Sequence, residues 1–172
     1  MSTRILVAGI GNIFLGDDAF GCEVIQRIQR RGLPESVRVE DFGIRGFDLA
    51  YALMDDYEAV ILVDATPRGE QPGTLYTIEL DVGALDDAGP VEMIVETHGM
   101  NPMRVLAMVK ALGGEPKRIL VIGCEPVLAD PDEEQEHMGL SEPVEGAIDE
   151  AVRMVESLIA KITGDQAAVV AG

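Results

Sequence analysis

Four short runs of β-branched and aliphatic residues, Arg4 to Ala8, Val37 to Phe42, Ala59 to Asp64 and Arg118 to Gly123, are each bounded by Gly, Pro or charged positions. That pattern predicts buried strands. A fifth run, Thr74 to Leu80, mixes Leu75, Tyr76 and Ile78 with Thr77 and Glu79 behind a Pro72-Gly73 turn signal, as expected of a half-exposed strand near a sheet edge. Between these runs the apolar period becomes helical. Asp18 to Arg31 carries Val24, Ile25 and Ile28 on one stripe, Gly46 to Met54 carries Leu49, Ala52 and Leu53, and Asn101 to Leu112 carries Val105, Leu106, Met108 and Val109. A last helix is expected from Glu142 to Ile162, with Ser141 as its N-cap and Glu142 at its positive end. Strands alternating with helices predict an α/β sandwich on a mainly parallel sheet.

The chain has 172 residues, 47% of them hydrophobic, enough for one well-buried core. A single domain is expected over 1–163, with 164–172 as a disordered tail. The net charge of −18 comes from 13 basic and 31 acidic side chains, which disfavours nucleic acid and anionic lipid as partners. Apolar runs such as Ala59 to Val63 fall far short of the ~20 residues of a membrane span. Cys22 and Cys124 form neither a C-x-x-C motif nor a disulfide framework. A cytoplasmic monomer is the resulting expectation.

The first strand runs into Gly9-Ile10-Gly11-Asn12-Ile13-Phe14-Leu15-Gly16-Asp17-Asp18. A dinucleotide fingerprint would need glycine where Phe14 stands, and the Asp pair would repel pyrophosphate from the helix start. A cation suits the place better, although Asp at a helix start is also an ordinary cap. Asp64 closes the third strand, so it shares a crevice with Asp18 if the first and third strands are neighbours. His98 stands in a loop just before a helix. It reads either as a locally bonded loop histidine or, with the carboxylates, as part of a mixed O/N set for a borderline divalent ion. No H-E-x-x-H helix or G-x-S-x-G elbow is present.

Gly9-x-Gly11-Asn12, Asp17-Asp18, Asp41-x-Gly43, Val63-Asp64-Ala65, the loop bearing His98 and Gly139-Leu140-Ser141 occur in that order along nearly the whole chain. In this the sequence resembles the hydrogenase maturation endopeptidases, which trim the C-terminal extension from the large subunit of nickel-iron hydrogenases. The resemblance implies a three-layer α/β/α sandwich around a five-stranded, mostly parallel twisted sheet. It further implies a metal-contacting trio that falls on Asp18, Asp64 and His98, with Asp18 in a position where some members carry Glu. The metal is then nickel brought by the large-subunit precursor rather than a resident ion. Hydrolysis follows either from polarisation of the scissile carbonyl by that metal or from a neighbouring carboxylate such as Asp17 acting as general base.

A non-catalytic nickel-sensing checkpoint protein would use the same trio without turnover. The acidic 129–150 stretch, with nine Asp or Glu and His137 in its midst, reads as a solvated loop. Asp41, Gly43 and Gly46 read as turn residues near the cleft. Met108 and Met154 fall at core spacing, whereas Met100 and Met103 near His98 are candidates for a peptide groove.

Overall fold

The computed structural model describes residues 4–83, 102–128 and 139–171, apart from the side chains of 165–171. Five strands, β1 (Ile5–Ile10), β2 (Val37–Gly43), β3 (Ala59–Ala65), β4 (Leu75–Leu80) and β5 (Ile119–Cys124), form one sheet in the order β2-β1-β3-β5-β4. β1, β2, β3 and β5 run parallel, and β4 joins β5 antiparallel at the edge. β1 and β3 lie inside the sheet with both faces covered, which is why they read as unbroken apolar runs. Among the described residues β4 pairs only with β5, and its exposed positions, Thr77 and Glu79, alternate with half-buried ones.

The helices are α1 (Phe20–Arg31), α2 (Gly46–Leu53), α3 (Pro102–Ala111) and α4 (Glu142–Ala171). Alternate strand residues serve two cores, because side-chain direction reverses at each step. Ile5, Val7, Ile61, Val63 and Ile122 pack under α1 and α4, whereas Leu6, Ala8, Val60, Leu62 and Ile119 pack under α2 and α3. Each fully buried aliphatic side chain contributes about 1.5–3 kcal/mol of transfer free energy. Met108 and Met154 pack against these two cores as their spacing predicts. The result is the expected three-layer α/β/α sandwich.

Two boundaries differ from expectation. The first helix does not begin at Asp18: a 3-10 turn over Gly16–Ala19 precedes α1. The last helix does not stop at Ile162 but continues to Ala171. Among the described residues no helix is long and apolar enough to cross a membrane.

α2 and α3 both return toward the amino edge of the strands, where Gly114 closes against Val109 and Met54. Their first turns therefore stand at the carboxyl edge. That edge also collects the loops after β1, β2, β3 and β5, and it positions the site.

Candidate active site

The crevice lies where the chain changes direction. β1 is followed by β2 on one side, and β3 and then β5 lie on the other. The loops above β1 and β3 consequently part over a switch point, the usual ligand position of an open parallel sheet. α1 approaches this point closely because Gly21 lacks a side chain: a Cβ there would stand 2.2 Å from the Val63 carbonyl oxygen and 2.4 Å from that of Ile10. Gly11, at φ +143°, meets the 3-10 turn in the same way, and a Cβ would lie 1.8 Å from the Asp18 carbonyl oxygen. The opening glycines are thus contacts of backbone on backbone that bring Asp18 over the end of β1.

Asp18 is half-buried, and its Oδ2 accepts the Asn12 N–H at 2.7 Å. Asn12 in turn bonds Phe14 N–H through its own Oδ1. The bond from Asn12 to Asp18 ties the loop after β1 to itself and is not a helix cap, since neither the 3-10 turn nor α1 has a side-chain cap; it occupies one oxygen of the carboxylate, and Oδ1 accepts no hydrogen bond among the described residues. Asp64 is 8% exposed at the end of β3. Burial first, and then the charge of Asp18, push its carboxyl well above the usual carboxylate range, against the opposing effect of the Ala65 N–H. The adjacency of β1 and β3 brings together the two carboxylates that the sequence singled out.

Asp17 has a different environment. It is 8% exposed; its Oδ1 accepts the Ser141 N–H at 2.7 Å, and its Oδ2 accepts the Val127 N–H and the Ser141 hydroxyl, both at 2.8 Å. One carboxylate thus joins the loop after β1 to the loop after β5 and to the start of α4. Ser141 stands at the expected N-cap position, but its hydroxyl donates to Asp17, while its carbonyl accepts the Glu145 N–H.

Glu125, which the sequence reading missed, is 2% exposed and accepts the N–H groups of Arg68 and Gly69 at 2.7 and 3.2 Å. It fixes the loop after β3. A carboxylate directly following a buried strand was its only signal, the same one that marked Asp64. Asp41 accepts the Gly43 N–H at 2.9 Å, and Gly43 adopts the left-handed backbone at φ +55°. Gly46 does not; it opens α2.

Both thiols are buried and pushed toward the protonated form. Burial and the neighbouring Asp41 raise Cys22, and burial together with Asp17 and Glu125 lifts Cys124 to about 11. His98, His137 and Met100 lie outside the described residues. Among those described, no three His, Cys, Asp or Glu side chains gather as a metal site.

An apolar rim flanks the carboxylates. Ile13, Phe14 and Leu15 after β1, Ile44 after β2, and Val127 and Leu128 after β5 are all substantially exposed. Hydrogen bonds join their loops, with the Gly11 N–H on the Gly43 carbonyl and the Val127 N–H on the Asp17 carboxylate. Exposed apolar residues on neighbouring loops beside a polar crevice are a feature of surfaces that receive another polypeptide.

The α/β/α sandwich is also the fold of solved maturation peptidases. The hydrogenase maturating endopeptidase HybD of Escherichia coli superposes with a TM-score of 0.69 at 28% identity, over 92% of this chain and 93% of the other. A hydrogenase 2 maturation peptidase from a Thaumarchaeota archaeon gives 0.68 at 33% identity, over 92% and 99%. A putative hydrogenase maturation protease of Methanocaldococcus jannaschii is 33% identical over 159 residues, covering 91% of this chain and 97% of that protein. The family described as hydrogenase maturation protease matches residues 22–158. The chain belongs to the hydrogenase maturation protease family, and its class of reaction is peptide-bond hydrolysis.

Proposed function

We propose that this protein removes the C-terminal extension of a nickel-loaded large-subunit precursor of a nickel-iron hydrogenase, and that Asp18, Asp64 and His98 engage the nickel carried by that precursor. The observation that carries the reading is the pairing of Asp18 and Asp64 at the switch point. Two carboxylates held near one another in a partly desolvated crevice repel, and that repulsion contributes to raising Asp64. A divalent cation between them removes the penalty and favours the ionised Asp64. Oδ1 of Asp18, which accepts no hydrogen bond among the described residues, suits such a contact. No resident metal is invoked, since the ion arrives as cargo of the substrate.

The chain's own residues then have separable tasks. The apolar rim receives the precursor segment, and the carboxylate pair holds the cargo ion so that the scissile peptide lies beside it; positioning of this kind supplies much of a hydrolytic rate. Asp17 is assigned to holding the loops, because three donors already occupy its oxygens. That assignment replaces the expectation of Asp17 as general base and leaves water activation to the bound ion or to ionised Asp64.

The test is intact-mass analysis of a hydrogenase large-subunit precursor encoded by the same organism, nickel-loaded or nickel-free, mixed with the wild-type protein or with Asp18→Ala and His98→Ala. Nickel-dependent loss of a C-terminal peptide by the wild type alone is the expected result. Nickel-dependent binding without cleavage would transfer the protein to the checkpoint role, and cleavage unaffected by either substitution would remove that residue from the trio.

A further inference from the structure

The wall of the crevice beyond Asp64 is built around an absent side chain. Asp64, Gly123 and Tyr76 are register partners across β3, β5 and β4, so their side-chain directions fall on the same face of the sheet. Gly123 leaves a slot, which the Tyr76 ring fills: a Cβ on Gly123 would lie 2.3 Å from Cε2 and Cζ and 2.5 Å from Oη. The ring therefore extends from the edge strand across β5 toward Asp64, and its hydroxyl donates to the Thr66 carbonyl at 2.9 Å. The Arg68 guanidinium lies over this ring, with Cζ 4.7 Å from the centroid.

The loop carrying Arg68 is fixed at two places, by the buried Glu125 on the Arg68 and Gly69 N–H groups and by Tyr76 on Thr66. A guanidinium stacked in this way keeps its in-plane donors free. Six other arginines, from Arg27 on Asp149 to Arg153 on Glu150, each hold a carboxylate. Arg68, exposed and in a chain of net charge −18, holds none among the described residues. It is an exposed cation at the Asp64 end of the sheet, held in place by its stacking on Tyr76.

We propose that Arg68, stacked on Tyr76 beside Asp64, is a substrate-binding residue that receives a carboxylate of the incoming polypeptide through its guanidinium. The carboxylate comes either from an acidic side chain or from a free chain terminus, and the planar fork suits both. As a substrate contact the proposal rests on the endopeptidase reading, but its chemistry can be examined without cleavage.

The Nε–Hε signal of Arg68, identified by its loss in Arg68→Lys protein, is followed by 15N NMR as three capped tripeptides are added to the full chain. These are acetyl-Ala-Asp-Ala-amide, acetyl-Ala-Ala-Ala with a free terminus, and acetyl-Ala-Asn-Ala-amide. A saturable shift with one or both carboxylate peptides and none with the Asn peptide is expected, and the peptide that acts identifies the source. No shift, or an equal shift with the Asn peptide, overturns the subsite.

In precursor processing, Arg68→Gln should raise KM about tenfold or more, with kcat within about twofold and partial recovery in Arg68→Lys; tenfold corresponds to about 1.4 kcal/mol. An unchanged KM overturns the role in substrate binding. A wild-type protein that fails to process its precursor would remove the endopeptidase reading, and the NMR titration would still decide Arg68.

Discussion

Asp17 is the residue on which the carboxyl edge depends, and its replacement separates a holding role from a chemical one. In Asp17→Ala the N–H groups of Ser141 and Val127 and the Ser141 hydroxyl lose their shared acceptor. Hydrogen bonds to a charged group contribute about 1.5–3 kcal/mol each, and neighbouring losses are less than additive as water enters. A destabilisation of about 3–5 kcal/mol is expected, a large part of the ~5–15 kcal/mol that holds a domain together. For a chain of this size the melting temperature should fall by about 6–20 °C.

Asp17→Asn keeps one acceptor oxygen but turns an amide NH2 toward a backbone N–H, so it should lose about 1–3 kcal/mol. Because a loop-holding residue does not handle the proton, this variant should still process precursor at a temperature where it is folded. Urea unfolding at 25 °C and intact-mass processing on the same samples make the comparison. An Asp17→Ala protein within about 1 kcal/mol of wild type would refute the clamp, as would a stable Asp17→Asn protein slowed by the ~10²–10⁴ that loss of a general base brings.

Three further outcomes follow from the same geometry. Asp64→Asn should abolish processing while stabilising the fold at neutral pH. The folded carboxyl titrates above its ordinary 3.8, so the wild type is relatively most stable below that value and loses stability as pH rises through the window above it; thermal melts from pH 4 to 8 should show the gap between the proteins opening upward. Gly21→Ala drives a Cβ into the Val63 and Ile10 carbonyls and should cost about 3 kcal/mol in urea unfolding. Phe14→Ser with Leu128→Ser, at positions 54% and 74% exposed, should leave the melting temperature within about 1 °C and raise KM for the precursor several-fold; an unchanged KM would remove the rim from substrate docking.

Much of the architecture is legible in the chain because it depends on short-range rules. The apolar runs of β1 and β3, the alternation of β4 and the stripe of Val24, Ile25 and Ile28 each report whether one or two faces of an element are covered. The carboxylates at strand ends are visible for the same reason, since an apolar run that stops at Asp64 marks an edge. Their convergence is not visible: it required β1 and β3 to be neighbours, a choice of sheet order that no local pattern encodes.

The largest changes of meaning came from partners distant in sequence. Asp17 and Asp18 are adjacent and chemically identical, yet one is enclosed by Val127 and Ser141 whereas the other, among the described residues, keeps an oxygen open near Asp64. Glu125 and Tyr76 acquire their roles only when the loop after β3 folds back over β5. The sequence by itself determined the elements, the core-facing positions and the order of the motifs, because burial and periodicity act along a few consecutive residues. The tertiary structure decided which carboxylate is occupied and which is open, because hydrogen-bond partners and desolvation are set by segments more than a hundred residues apart.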